Sequence, residues 1–569
     1  MEYPIWFMHD TLSVKCQAQV MNLLNKLLHQ KFANAAMVVI VCVLTVSGCV
    51  SQSASDTPSP YLAIEAKELN QLAEQAIETF SGPGMAIGIV HRGEIDHIQG
   101  YGLRDFESSA RVDEDTLFRL ASTSKAFTAA ALAILVDEGK ITWDDKVIEI
   151  IPEFKMQETW VTNEFTIKDL LIHRSGLVSG AGDSMLWPEP SGFSRQEVIQ
   201  SLRFLTPKYG FRSQYAYSNV FYITAGEIIE RISGHTYEDF VEQRIFAPLG
   251  MNCFAGDMPL SAMDNIARPH GDVAGDLYAI DRNAIKGRAT VSAAAGGLVC
   301  NVSGMAEWIK LLLNDGKTAA GEAIFSKKEL AQMWRSQTIL SMSKREAERN
   351  QSNFKTYALG WRKNDMYGEE VISHTGTLSG MQAYLALVPE QELGVIILNN
   401  GSNGSLRGAM MQEILSAYLN PKDTTDWIAD FYQYQQQAEQ RYLAKLSIPQ
   451  GSNTVILEEN AYTGAFADIW YGGVNITEAK SAANDTKQSE LSIEFEKMRN
   501  LKGKLTPFDQ HTFVIHFDDS NAASPAFIEF IVDAEQQVSG FTLRPFSDKI
   551  RDNHAYRDMV FNRLSLGGD

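Results

Sequence analysis

The chain has 569 residues, more than one ordinary domain holds, and a globular composition of 45% hydrophobic and 21% charged residues with 41 glycines against 17 prolines. Lysine and arginine total 50 against 70 aspartates and glutamates, a formal charge of −20. That balance repels phosphate backbones and argues against a nucleic-acid partner.

A weakly basic stretch with Lys26 and Lys31 leads into AAMVVIVCVLTV, about a dozen apolar residues. This is shorter than the roughly 20 needed to cross a bilayer as a helix and fits the apolar core of an export signal. It ends in VSGC, Val46 to Cys49, followed by the polar run SQSASDTPSP. Small residues ahead of a cysteine resemble a bacterial lipoprotein signal, in which the cysteine is acylated and becomes the first mature residue. The expectation is a lipoprotein-type signal over residues 1–49, lipidation at Cys49 and a flexible tether over 50–60. The mature protein is then exported, facing the periplasm and held to the membrane by its lipid. Cys16 and Cys42 leave with the signal, so Cys253 and Cys300 are the cysteines of the folded body. A bridge between them and two separate buried thiols are both open on sequence.

From Tyr61 the pattern becomes regular. AIEAKELNQLAEQAIETF reads as an amphipathic helix, and GMAIGIVHRGEIDHIQGYG as two strands around a turn at Arg92-Gly93. AFTAAALAILVDEGK is a helix ended by Gly139, and TIKDLLIHRSGL and AGEIIERISGHTYEDFVEQRIFAPLGM are helices closed by glycines. QAYLALVPEQELGVIILNNG is a hairpin of two apolar strands about Pro389-Glu390. Strands at both ends with helices between predict one sheet covered by helices, with the terminal strands as neighbours. After about Asn420 the character changes. DWIADFYQYQQQAEQRYLAKL is a polar helix suited to linking, over 422–449, and alternating segments such as ELSIEFEK, HTFVIHFDD and AFIEFIVDA follow. They predict a small all-β unit over 450–569, a barrel or sandwich.

Three motifs carry chemistry. In FRLASTSKAFTAAALAIL, Ser122 and Lys125 are three apart and share a helix face. Two fates are open for a lysine in so apolar a run: its amine reaches water, or desolvation holds it near its neutral form. In the second case it can take the proton of the serine hydroxyl, a poor nucleophile until a base does so. In YAYSNVFY, Tyr217 and Asn219 are two apart and face one side of an extended or turning backbone. A tyrosine beside a lysine can join a proton relay, and an asparagine amide can hold a carbonyl. In SHTGTLSG, Gly376 permits close approach of the backbone, His374 is a candidate donor or relay, and the Thr377 amide is a candidate half of an oxyanion hole with the Ser122 amide.

The ordered set of Ser-x-x-Lys, then Tyr-x-Asn about ninety residues on, then His-Thr-Gly before a terminal hairpin resembles the serine hydrolases related to class C β-lactamases and D-alanyl-D-alanine carboxypeptidases. LLIHRSGL, AAGGLVCNVSGMAEW and LVPEQELGVIILNN look like further blocks of that family, so the resemblance covers about Tyr61 to Leu419, most of the mature chain, and implies a serine hydrolase domain over 61–421. It implies an α/β (α+β) fold: a five-to-seven-stranded antiparallel sheet flanked by helices, a helical subdomain, and the site between them. It also implies roles. Ser122 attacks a carbonyl, Lys125 and Tyr217 handle its proton, and Asn219, His374, Gly376 and Thr377 line the substrate groove or the oxyanion hole. The acyl-enzyme so formed hydrolyses an amide or ester of a small-molecule or peptide substrate, as a peptidase or carboxylesterase ahead of a β-lactamase or D,D-carboxypeptidase. A binding or sensing protein that keeps the fold is the non-catalytic alternative.

Two departures bear on this. His374 stands where class C β-lactamases carry lysine, and a mostly neutral imidazole anchors a carboxylate less well. Phe211-Arg212 stands where many relatives show Pro-Gly, a variant resembling a subgroup that ends in a lipocalin-like β domain, one of whose members assembles through it. The β unit is thereby a candidate oligomerisation surface, lid or spacer, and its residues select none of these. Gly-x-Ser-x-Gly, His-Glu-x-x-His, clustered Cys/His and phosphate-loop patterns are absent from the sequence, so no metal or cofactor is expected.

Overall fold

Alternating and apolar stretches from both ends of the large unit meet in one antiparallel sheet. The computed structural model describes residues 64–256, 258–273, 276–281, 291–445, 450–479, 490–519, 522–546 and 556–564. The expected export signal, Cys49 and the expected tether lie outside the described residues. Helix α1 (Ala66–Thr79) packs Leu69, Ala73 and Ala76 onto the sheet. The strands in chain order are β1 (Gly84–His91), β2 (Glu94–Asp105), β3 (Ala110–Arg111), β4 (Thr338–Ile339), β5 (Lys355–Tyr357), β6 (Arg362–Met366), β7 (Glu369–Leu378), β8 (Met381–Val388) and β9 (Leu393–Asn399). Their spatial order is β3-β2-β1-β9-β8-β7-β6-β5-β4, nine strands with β1 and β9, from the two ends of the unit, paired inside the sheet from Met85↔Asn399 to His91↔Leu393. β1 and β9 are apolar up to their last residues, His91 and Asn399, because both faces of the sheet are covered. The count exceeds the expected five to seven because β3, β4 and β5 are two or three residues long, too short to show a period.

Helices from the middle of the chain cover one face. In α2 (Ser124–Asp137) every residue from Ser124 to Leu135 is buried, and alanines let neighbours approach from all sides. α3 (Val220–Ser233) ends at Gly234 in the left-handed conformation, φ 76°. YAYSNVFY is therefore a loop running into a helix, with Asn219 at the helix start. Beside the sheet, Phe118–Arg119, Cys253–Phe254 and Val299–Cys300 form a three-stranded ribbon in which Cys253 lies opposite Cys300. The two are joined as a disulfide, closing the choice left by the sequence.

On the other face lies α4 (Gly404–Leu419), and against it packs α5 (Trp427–Lys445), inside the expected linker. Next comes a closed barrel of eight strands: β10 (Gly464–Asp468), β11 (Gly472–Ala479), β12 (Glu490–Phe495), β13 (Lys502–Gln510), β14 (Thr512–Phe517), β15 (Ala526–Val532), β16 (Val538–Pro545) and β17 (Val560–Arg563). The ring runs β13-β12-β11-β10-β17-β16-β15-β14 and closes where β14 pairs β13 from Gly503↔Phe517 to Asp509↔Thr512. Closure removes the unpaired edges an open sheet of this size would leave. Among the described residues no helix is long and apolar enough to cross a membrane.

Candidate active site

Ser122 sits in a tight turn, Ala121–Thr123, that feeds directly into α2. The turn is tied down on both sides. Leu120 N–H donates to Leu298 O at 2.8 Å, and the Thr123 hydroxyl donates to Leu120 O at 2.7 Å. Ala121 is left-handed, φ 48°, an uncommon state for a residue with a Cβ. β7 presses on this turn through Gly376, where a Cβ would fall 2.2 Å from Leu120 O and 3.0 Å from Ala121 Cβ. Only glycine permits that contact.

Of the two fates open to Lys125, the inward one is observed, with the side chain fully buried. Its Nζ donates to Ser122 Oγ at 3.2 Å, to Asn219 Oδ1 at 2.7 Å and to Ala295 O at 2.7 Å. The amine also lies 4.9 Å from the ring centre of Tyr217 and 5.0 Å from that of Tyr222. Loss of water holds its proton affinity well below the ordinary lysine value; Asp183 raises it in part, and Arg362 lowers it further. The result is an amine able to be neutral, in contact with a hydroxyl.

Tyr217 completes the group. Its phenol adjoins Ser122, and its hydroxyl makes no hydrogen bond of good geometry among the described residues. Burial pushes its pKa up, so it keeps its proton. Beneath it the ring of His173 lies 4.3 Å away, and His173 Nδ1 accepts the N–H of Ser218 at 3.1 Å. Burial keeps His173 neutral. Asn219 is buried between two partners, accepting from Lys125 and donating through Nδ2 to Asp183 Oδ2 at 2.8 Å.

The third motif divides. His374 is fully enclosed: Nδ1 faces Thr375 O at 2.8 Å and so carries the hydrogen, and Nε2 faces the Tyr357 hydroxyl at 2.9 Å. Burial first, then Arg362 and Lys125, hold this imidazole neutral. Its ring centre is 6.4 Å from that of Tyr217, one layer behind the reacting groups. Thr377 is exposed, and its hydroxyl accepts from Arg407 Nη2 at 2.8 Å. β7 pairs with β8 as far as Leu378 but with β6 only as far as Ser373, opposite Arg362. Beyond Ser373 that edge has no strand partner among the described residues.

Ser122, Lys125, Tyr217 and Asn219 thus share one cluster, with Gly376 and Thr377 on the strand against it and His374 behind. Three participants were not singled out in the sequence: Asp183, His173 and Arg362. Arg362 donates through Nη1 to Thr375 Oγ1 at 2.9 Å, placing a fixed positive charge where the open edge begins. Counting back from the turn at Tyr367-Gly368, where both residues are left-handed, would have paired it with Ser373. Nothing local marks Asp183. Among the described residues, no group of three or more His, Cys, Asp or Glu side chains is placed to hold a metal ion.

A desolvated amine touching a half-buried serine is the equipment for nucleophilic attack on a carbonyl. The comparisons agree with that class. The chain belongs to the Beta-lactamase family, whose model matches residues 69–418, and is thereby a member of a family of serine hydrolases. The model of a domain of unknown function, DUF3471, matches residues 453–563, the barrel. An unguisins hydrolase of Aspergillus campestris is 28% identical over 382 residues, 63% of this chain and 67% of that one. Protein flp of Staphylococcus aureus is 25% identical over 379 residues, 65% and 70% of the two chains. The fold matches the octameric penicillin-binding protein homologue from Pyrococcus abyssi with a TM-score of 0.54 at 19% identity, over 88% of this chain and 100% of that one. It matches a class C β-lactamase from Rhodobacter sphaeroides with a TM-score of 0.50 at 20% identity, over 61% and 98%.

Proposed function

We propose that this protein forms an acyl-enzyme on Ser122 and hydrolyses an amide or ester, as a peptidase or carboxylesterase. The observation that carries the reading is the buried Lys125 amine 3.2 Å from Ser122 Oγ, with its proton affinity held down by loss of water. Neutral Lys125, with its two N–H groups on Asn219 Oδ1 and Ala295 O, takes the Ser122 proton on its lone pair as Oγ bonds to the substrate carbonyl carbon. The Ser122 and Thr377 amides receive the oxyanion. Tyr217, kept protonated by its burial, is the donor to the leaving nitrogen or oxygen, and Lys125 then resupplies it. Water enters by the reverse route and releases the acid. Asn219 holds the amine in line and takes no proton. That two relatives are hydrolases of unguisins supports hydrolysis as the activity.

A second reading, a β-lactamase or D,D-carboxypeptidase activity, is favoured by Arg362. Neutral His374 offers little to a carboxylate, but the guanidinium beside Thr375 supplies the missing charge at the open edge. Substrates with a carboxylate near the scissile bond suit that arrangement. Export and attachment through Cys49 place the reaction on the periplasmic face of the envelope in this proposal. Assembly through the barrel is a further expectation, in line with the octameric homologue.

The test is labelling of the purified mature chain with a fluorophosphonate and with a penicillin-type probe, beside turnover of p-nitrophenyl esters, D-aminoacyl anilides and nitrocefin. Stoichiometric labelling lost in Ser122→Ala is expected. No labelling by any acylating probe would leave the non-catalytic binder as the answer.

A further inference from the structure

The loop from Asp183 to Phe193 has two working faces. Inward, Asp183 holds Asn219, and the Glu189 carboxylate pairs with Arg119 at 2.7 Å and accepts from the Ser292 hydroxyl. Arg119 and Glu189 are both nearly inaccessible, and Arg119 lies three residues before Ser122. Outward, the same stretch is held by the barrel. The Tyr471 hydroxyl donates to Ser184 O at 3.1 Å, Asn500 Nδ2 donates to Glu189 O, and Gly192 N–H donates to Lys497 O at 2.7 Å. Lys497 also pairs with Glu197 and lies 4.8 Å from the Phe193 ring centre. Gly192 fits so closely that a Cβ would fall 2.7 Å from Lys497 O.

On the barrel side these contacts start from a rigid hairpin. Asp468 accepts from the backbone N–H groups of Trp470, Tyr471 and Val560 at 2.8–2.9 Å, fixing the β10–β11 turn that carries Tyr471. The barrel interior is packed with aromatic rings, Phe541 on Phe561 at 4.6 Å and Phe466 on Phe541 at 5.1 Å. So filled, the barrel is suited to bracing.

We propose that the barrel is a positioning element of the active site, holding the 183–193 loop so that Asp183 and Asn219 keep the Lys125 amine on Ser122. The proposal rests on Ser122 being the nucleophile. It takes the barrel beyond the choices of lid, spacer or oligomer surface, because the barrel contacts named fall on the same loop whose Asp183 and Glu189 side chains turn inward. The charged and titratable groups facing Lys125 are Asp183, Arg362, Tyr217, Tyr222, His173 and His374. Of these, Asp183 is the one the barrel-braced loop carries.

The test uses the full mature chain with Tyr471→Phe and Asn500→Ala combined, which removes two loop contacts and keeps the barrel's ring packing. The control is Glu529→Gln with Arg544→Met, an ion pair on the barrel surface. Hydrogen exchange is measured over 178–193 and 214–222, and acylation by a p-nitrophenyl ester, read as p-nitrophenolate release in single turnover, is followed against pH per fluorophosphonate-titrated site. Expected are faster exchange in both segments and an acylation rate constant about tenfold lower. The acid limb should move to lower pH as Asp183 withdraws, Asp183→Asn should move it the same way, and combining the two should add nothing. Unchanged exchange over 214–222, or an acid limb that stays in place, overturns the proposal. So does a loss confined to the number of active sites, which instability alone would produce. If the parent chain takes no probe, the serine-hydrolase reading fails by itself, and the exchange data still decide whether the barrel holds the loop.

Discussion

The barrel interior and the floor beneath Ser122 are both closed to water, and they are filled in opposite ways. Inside the barrel the packed side chains are rings and branched hydrocarbons: Phe466, Phe513, Phe541, Phe561 and Ile515 are at most 1% exposed. Under the serine, the side chains with no more than 6% exposure include Lys125, His173, Asn219 and His374. Hydrocarbon burial contributes roughly 25 cal/mol per Å² to stability, whereas an amine deprived of water costs free energy unless it is satisfied or neutral. Those barrel side chains are hydrocarbon alone, whereas the floor under Ser122 sets polar groups among the apolar residues of α2, Ala126, Phe127 and Ala129. The site retains groups that a stability criterion alone would replace.

The sharpest way to break this contrast is Lys125→Met. Loss of the base should lower acylation by about 10³–10⁴-fold. The urea midpoint should hardly move, because relief from burying the amine is offset by leaving Asn219 Oδ1 and Ala295 O without a donor. Retained turnover would put the base elsewhere. The converse change is Phe530→Ala, removing a ring that packs on Tyr462 at 4.8 Å and Phe513 at 5.6 Å. It should cost about 3–5 kcal/mol in urea unfolding of the barrel. Acylation per titrated site, below the transition, should hold. Gly376→Ala mixes the two, since a Cβ 2.2 Å from Leu120 O must push β7 off the Ser122 turn. Acylation should drop about 10–10²-fold and stability by about 1–3 kcal/mol; an unchanged rate would mean that β7 does not align the turn.

How much of this was legible in the sequence follows from how local each feature is. Ser122 and Lys125 are one helical turn apart, so a single periodicity links them. Asp183 meets Asn219 across 36 residues and nothing in its segment marks it, whereas Arg362 meets Thr375 across 13 within a hairpin whose turn at Tyr367-Gly368 fixes the count. The enclosure of His374 depends on Tyr357, which reaches it from β5. Phe211-Arg212 is an instructive middle case. The sequence marked the departure from Pro-Gly, and the structure supplies its reason: Arg212 takes a left-handed φ of 59°, where glycine is at ease, and its guanidinium grips buried Asp169, Nε to Oδ1 at 2.9 Å. Asp169 in turn closes a capping box with Thr166. In the barrel the alternating strands were legible, and they left barrel and sandwich both open; the β13–β14 pairing that closes the ring depends on register.

The junction between the two regions offers the smallest test. Glu413 on α4 accepts the backbone N–H groups of Trp427 and Ile428, the first residues of α5, at 2.7 and 3.2 Å. Burial pushes its pKa from 4.5 up to about 7, against the pull of those two donors. A carboxyl raised on folding binds its proton more tightly in the folded chain than in the unfolded one, so its contribution is complete below pH 4.5 and is lost as pH rises through 7. The urea midpoint should therefore decline between pH 5 and pH 7.5, and Glu413→Gln, which cannot ionise, should flatten that part of the profile while acylation by the p-nitrophenyl ester keeps its own pH limb. An equal decline in the variant would assign the slope to other groups. A flattened midpoint accompanied by a shifted acylation limb would mean that the α4–α5 junction reaches the site, and the contrast between packed barrel and reactive cleft would have to be redrawn there.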